Sequence, residues 1–91
     1  MLINATQIRL ARTALGWGVR ELERATGISF NTLSRIERGE SSGRGSTLVK
    51  IEETFEARGF SFPDKFTVRY PEDLVAAAKL DDGKPPAEGQ S

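Results

Sequence analysis

Residues Arg20 to Gly39 read RELERATGISFNTLSRIERG. Two helical patterns and a turn fit into this stretch. The first helix is predicted from about Val19 to Ala25, with Leu22 and Ala25 facing inward. Gly18 stands at its N-cap, a weaker cap than Ser or Asp. Glu21 lies in the first turn, where a negative charge complements the helix dipole. Thr26-Gly27-Ile28 makes the turn: Gly27 supplies the left-handed backbone needed just past a helix end, and Ile28 is its apolar pin. Ser29 is a good N-cap for the second helix, residues 29–38. Leu33 and Ile36 are its core contacts, while Asn31, Thr32, Ser34, Arg35 and Arg38 point elsewhere. Gly39 stops it.

Outward from this pair, the N-terminal side predicts one more helix. Asn4 and Gln7 form a capping box, and Ile8, Ala11 and Leu15 share one helical face. Gly16 ends that helix, and Trp17 is an amphipathic plug over the end of the core. On the other side, Glu40 to Gly45 (ESSGRG) reads as a flexible loop. A fourth helix over about Ser46 to Arg58 follows, with Leu48, Ile51 and Phe55 on one face and Gly59 closing it. The period then changes. Phe60 and Phe62 flank Ser61; Phe66, Val68 and Tyr70 alternate with Thr67 and Arg69; Pro63-Asp64-Lys65 lies between. This pattern predicts a short β-hairpin. Because a lone hairpin is marginal in water, it must pack on the helices or on a second subunit. Pro71-Glu72-Asp73 opens a short helix to Leu80 with Pro at its first position. Residues 81–91 (DDGKPPAEGQS) have the composition of a disordered tail.

The expected fold is therefore all-α, with four or five helices and a short C-terminal β-hairpin extension. Residues 1–59 make the helical domain, 60–80 the extension and 81–91 the tail. A chain of 91 residues has room for one modest core, so dimerisation would help its stability. It contains no cysteine and no histidine, which excludes disulfides, thiol and imidazole catalysis and the usual zinc sets. No cofactor or metal is expected. The N-terminus lacks the apolar run of a signal peptide, and nothing approaches the roughly 20 apolar residues of a membrane span, so a cytoplasmic protein with no membrane partner is expected. The formal net charge is zero, but its distribution is uneven. Residues 1–45 carry seven Arg and four Glu, a net of +3; residues 46–91 carry six basic and nine acidic residues, a net of −3. All the cations of the first half are arginines, whose forks suit phosphates and guanine edges. The bland alternative is a mildly asymmetric solvated surface.

The span Asn4 to Phe62 resembles the lambda-repressor-like helix-turn-helix family, also called the xenobiotic-response-element regulators. The resemblance is carried by Ile8-Arg9-x-Ala11-Arg12, Leu15-Gly16-Trp17, Glu21-Leu22, Thr26-Gly27-Ile28-Ser29, Leu33-x-x-Ile36-Glu37-x-Gly39 and Thr47-Leu48, in the family's order and spacing. It implies an all-α domain that binds double-stranded operator DNA, usually as a homodimer on two half-sites. By position, Ser29, Phe30, Asn31, Thr32 and Arg35 would meet base edges, with Asn31 suited to adenine and Arg35 to guanine. The free amides of the first turn of that helix would also serve a phosphate. Arg20, Arg38, Ser42 and Arg44 would grip the backbone. Arg12 and Glu37 would form a partly buried ion pair between the first and third helices. The chain departs from the family at three places. Gly18-Val19 cannot cap or touch phosphate by side chain. Gly43 and Gly45 replace the usual proline and loosen the loop. Phe30 is an unusual reader, suited to a thymine methyl or to a protein interface.

The leading expectation is a sequence-specific transcriptional regulator, a repressor by steric block. Two alternatives stay open. One is an antitoxin-type regulator that also binds a partner toxin through its C-terminal extension. The other is a protein-interaction module that has lost DNA binding and uses Phe30 and Trp17 for a partner. An enzyme is not expected: the acids suit capping and solubility, and no glycine-rich loop fits a phosphate.

Overall fold

The first helix, α1 (Ala5–Ala14), begins where Asn4 and Gln7 cap each other: Asn4 Oδ1 accepts from the Gln7 amide at 2.9 Å, and Gln7 Oε1 from the Asn4 amide at 3.1 Å. It is followed by α2 (Val19–Thr26), α3 (Phe30–Glu37), α4 (Gly45–Glu56) and a one-turn α5 (Leu74–Ala77). This computed structural model describes residues 3–80; the tail predicted over 81–91 lies outside the described residues.

The apolar faces read from the sequence converge on one core. Ile8, Ala11, Leu15, Leu22, Leu33, Ile36, Ile51 and Phe55 are all buried, together with Ile3, Trp17 and Phe60. Leu48, Ala25 and Ile28 pack on it from the edge. The aromatic rings continue this core into the extension: Phe55 meets Phe60 edge-on at 5.6 Å and Phe62 at 6.3 Å, and Phe60 meets Tyr70 at 6.1 Å. Residues 60–80 therefore share the core of the helices, through Phe60, Phe62, Val68, Leu74, Ala77, Ala78 and Leu80.

The predicted β-hairpin is not formed. Among the described residues there is only an isolated antiparallel bridge, with Ser61 and Arg69 exchanging amide–carbonyl bonds of 3.2 and 2.9 Å. The reason lies in who satisfies the intervening backbone. Gln7 Nε2 donates to the carbonyls of Asp64 (2.7 Å) and Thr67 (3.0 Å), and Asn4 Nδ2 to that of Lys65 (2.9 Å). Asp64 Oδ1 accepts from the Phe66 amide and the Thr67 hydroxyl, curling the chain into a turn. The capping pair of α1 thus holds the loop with its remaining donors, and no ladder is needed to satisfy it.

The last helix also differs from expectation. It starts at Leu74, not at Pro71, because Asp73 takes the N-cap and its Oδ1 accepts from the Ala76 amide at 3.0 Å. Its C-terminal carbonyls are held by the rest of the fold. Trp17 Nε1 donates to Ala78 O at 2.8 Å, while Arg58 Nη1 donates to Ala77 O at 2.9 Å and Lys79 O at 2.7 Å. The Arg58 guanidinium also lies 4.9 Å from the Trp17 ring centroid. Trp17 plugs the core as expected, and in addition latches the C-terminal segment in place.

Candidate nucleic-acid interface

The α2–turn–α3 unit is fixed by three local devices. Gly27 sits at φ 76°, the left-handed conformation that the turn requires. Thr26 is buried; its hydroxyl donates to Leu22 O at 2.8 Å and accepts from the Ile28 amide at 3.1 Å, a lock that the sequence reading treated only as part of the turn. Ser29 caps α3, its Oγ accepting from the Thr32 amide at 3.2 Å and donating to Thr32 Oγ1 at 2.9 Å. At the start of α2, Gly18 has no side chain to offer, but Glu21 Oε1 reaches back to the Gly18 amide at 2.7 Å.

The orientation of α3 is set from behind by one carboxylate. Arg12 Nε and Nη2 donate to the two oxygens of Glu37, each at 2.8 Å, and Arg12 Nη1 donates to Trp17 O at 2.8 Å. The side chains of this pair are only 14% and 8% exposed. The Glu37 bond raises the Arg12 guanidinium above its ordinary pKa. All three nitrogens of Arg12 are thereby used inside the fold. Arg9, quoted above only as part of the family motif and given no role there, donates to Glu37 O at 2.9 Å and so holds the C-terminal end of α3.

On the opposite side of α3, Asn31, Thr32 and Arg35 are exposed. The side chains of Asn31 and Arg35 have no hydrogen-bond or ion-pair partner among the described residues, so their donors are available to an outside ligand. Arg35 and Arg44 together line a surface depression of about 500 Å³ with Thr32, Ser41, Gly43 and Thr47. The N-terminus of α4 opens beside it: Arg44 is the N-cap and caps with no side-chain bond, leaving the positive end of a twelve-residue helix uncovered by its own cap. Ser42 is not in this lining. It borders a separate hollow with Ile3, Ile36 and Leu48, whereas Ser41 and Thr47 supply hydroxyls beside the two arginines. The sequence offered no way to choose between Ser41 and Ser42, since the choice depends on the path of the loop.

That loop is closer-fitting than its glycines imply. Gly43 adopts φ 76°, and a Cβ there would stand 3.0 Å from Ile36 Cδ1 and 3.5 Å from a Leu48 methyl. The glycine lets the backbone press onto the core instead of leaving it slack.

The remaining expected contacts are engaged within the protein. Arg38 forks onto Glu40, with Nε–Oε2 at 2.8 Å and Nη2–Oε1 at 3.2 Å, which holds the Glu40 carboxyl below its usual range. Arg20 stacks on Phe30, its guanidinium carbon 4.1 Å from the ring centroid, and lies 3.4 Å from Glu23 Oε1. The first amide of α3 is not free as expected: Phe30 N donates to Glu23 Oε2 at 3.1 Å. A glutamate one helix earlier thus occupies the place where a phosphate was expected to sit, because the turn folds α2 back alongside the start of α3.

Among the described residues no cluster of His, Cys, Asp or Glu could hold a metal ion, and no helix is long and apolar enough to cross a membrane. The family model described as helix-turn-helix matches residues 8–58, more than half of the chain. No curated protein and no solved structure matches it. The match runs from within α1 past the end of α4, around the α2–turn–α3 unit, and the chain belongs to the lambda-repressor-like helix-turn-helix family of DNA-binding regulators.

Proposed function

We propose that the protein is a sequence-specific transcriptional repressor that lays α3 in the major groove of operator DNA and acts as a homodimer in the cytoplasm. The observation that carries this reading is the pair Arg35 and Arg44: two exposed guanidiniums without an ion-pair partner among the described residues, set around one depression at an uncapped helix N-terminus. An anion is the natural occupant of such a place. Arg44, Thr47 and Ser41 hold a phosphate there, which fixes the register of α3; Asn31 and Arg35 then reach base edges, adenine and guanine respectively. Ser29 and Thr32 line the start of the same face, and Phe30 contributes an apolar contact. Arg20 and Arg38 are secondary backbone contacts, since each must give up an internal partner, Glu23 or Glu40, to reach a phosphate. Ser42 contributes least.

Two such subunits on successive turns of the duplex place their half-sites roughly 34 Å apart, and the bound dimer blocks polymerase. Phe66, Tyr70 and Val75 are 84%, 56% and 78% exposed and supply apolar surface for the subunit contact. The same exposed residues favour the antitoxin-type reading, in which the extension holds a partner protein. The interaction module that uses Trp17 is disfavoured, because that ring is buried and its indole nitrogen is bonded to Ala78 O.

Selection of bound duplexes from random DNA with the purified protein tests the proposal. A pseudo-palindrome with half-site centres one helical turn apart is the expected result. Enrichment of a single asymmetric half-site would remove the dimer, and no enrichment would remove DNA binding itself.

A further inference from the structure

We propose that Phe30, backed by Arg20, reads the C5-methyl group of a pyrimidine, so that the bound site carries thymine or 5-methylcytosine at one position in preference to the unmethylated base. The proposal rests on the DNA-binding reading above and specifies what one residue of that face recognises.

Phe30 is the first residue of α3, the end of the helix that approaches base edges in this docking geometry. One contact on its ring and two interactions behind it hold it in place. The Arg20 guanidinium covers one face at 4.1 Å. Glu23 Oε2 fixes the backbone of Phe30 through its amide at 3.1 Å. Glu23 Oε1 steadies Arg20 in turn at 3.4 Å. The ring is half-buried, so part of it remains open to a ligand.

The first amide of α3 is not open to a phosphate, because it is spent on Glu23 Oε2. This corner is also poorly suited to hydrogen-bonded base readout: a phenyl ring has neither donor nor acceptor, and the neighbouring hydroxyls of Ser29 and Thr32 bond one another at 2.9 Å. The apolar feature that a base pair offers in the major groove is the C5-methyl of thymine. A methyl group on C5 of cytosine stands at the same ring position and presents the same surface. A ring already held by Arg20 and Glu23 loses little freedom when it meets that methyl, so the contact is retained as affinity. Arg20 here is a positioning residue: it acts through Phe30.

The experiment replaces each thymine of the selected duplex, one at a time, by uracil, which removes only the methyl group. At the position that Phe30 meets, a second pair of duplexes carries cytosine or 5-methylcytosine opposite guanine. At that position the wild-type protein should lose about fourfold in affinity on uracil substitution, the worth of one buried methyl, and should bind 5-methylcytosine more tightly than cytosine by a similar factor. In Phe30→Ala both differences should vanish, and in Arg20→Gln they should shrink. Thermal melts of both variants establish that they are folded, and the wild-type comparison needs no variant. A selected site indifferent to uracil at every position, or a methyl effect that survives Phe30→Ala, overturns the proposal while leaving DNA binding intact. A selection that enriches nothing overturns the DNA-binding reading and this proposal together.

Discussion

The arginines of the α3–α4 corner and those of the Trp17–α5 corner do opposite jobs. At the second corner, Arg12 and Arg58 spend their donors on Glu37, Trp17 O, Ala77 O and Lys79 O, all inside the fold. At the first, Arg35 and Arg44 stand exposed around a depression with no ion-pair partner among the described residues. Residue type is the same, and so is the intrinsic charge. The difference is whether the protein supplies the acceptor. An internal acceptor turns an arginine into a fastening, and its absence leaves the arginine to a ligand. Arg20 and Arg38 fall between, each held by an exposed partner that a phosphate could displace.

The division can be broken most forcefully by removing the fastened part. Truncation after Gly59 deletes buried Phe60 and strips Trp17 and Arg58 of their bonded partners. Loss of a buried phenylalanine alone costs about 3–5 kcal/mol, a large share of the stability of a small domain. The truncated chain should therefore lack a cooperative melt by circular dichroism. Glu37→Ala comes next. It leaves the Arg12 guanidinium largely buried without its counter-ion, at a cost of about 3 kcal/mol. The midpoint of thermal unfolding should fall by about 15 °C.

The exposed arginines should behave in the reverse manner. Arg35→Ala should weaken binding to the selected duplex about tenfold and relax the base preference at one position. Arg44→Ala should weaken binding to all sequences alike. Neither should change stability by more than about 0.5 kcal/mol. If either variant proves as destabilised as Glu37→Ala, the distinction between the two corners fails.

The smallest effect concerns Glu52 on α4. Its Oε1 is buried with no hydrogen-bond partner among the described residues. Burial, and then the neighbouring Glu56 charge, push its carboxyl above the ordinary value. The folded state therefore favours the protonated acid. Stability contributed by this residue is greatest below its unfolded pKa, falls as pH rises towards the folded value, and stays low beyond it. Glu52→Gln should raise the melting midpoint by a few degrees at neutral pH, and the gain should shrink to nothing below about pH 4.

Much of this was legible in the sequence because it depends on neighbours along the chain. The Asn4–Gln7 box, the Gly27 turn, the Ser29 cap and the spacing of Leu22, Leu33 and Ile36 involve residues a few positions apart, and each appears in the structure as read. The misreadings arose where distant segments compete for the same groups. Alternation over 60–70 predicts strands, but Gln7 and Asn4 bind the carbonyls of Asp64, Lys65 and Thr67 and hold the segment as a loop. The amides at the start of α3 looked free because Glu23 is seven residues away and reaches Phe30 only after the turn has folded. Likewise, the latch between Trp17 and Ala78 spans 61 residues, and no local pattern announces it. On the outward side of α2, α3 and α4, exposed arginines can be named from position, but which of them find partners inside the protein depends on packing.

The most direct measurement is the salt dependence of affinity for the selected duplex, with Arg44→Ala in parallel. About six phosphate contacts, from Arg20, Arg38 and Arg44 of each subunit, predict a slope near −5 for log affinity against log salt, reduced in magnitude by about 2 in the variant, which loses one contact per subunit. A wild-type slope near zero, or identical slopes for the two proteins, would contradict the assignment of the Arg35–Arg44 corner to DNA.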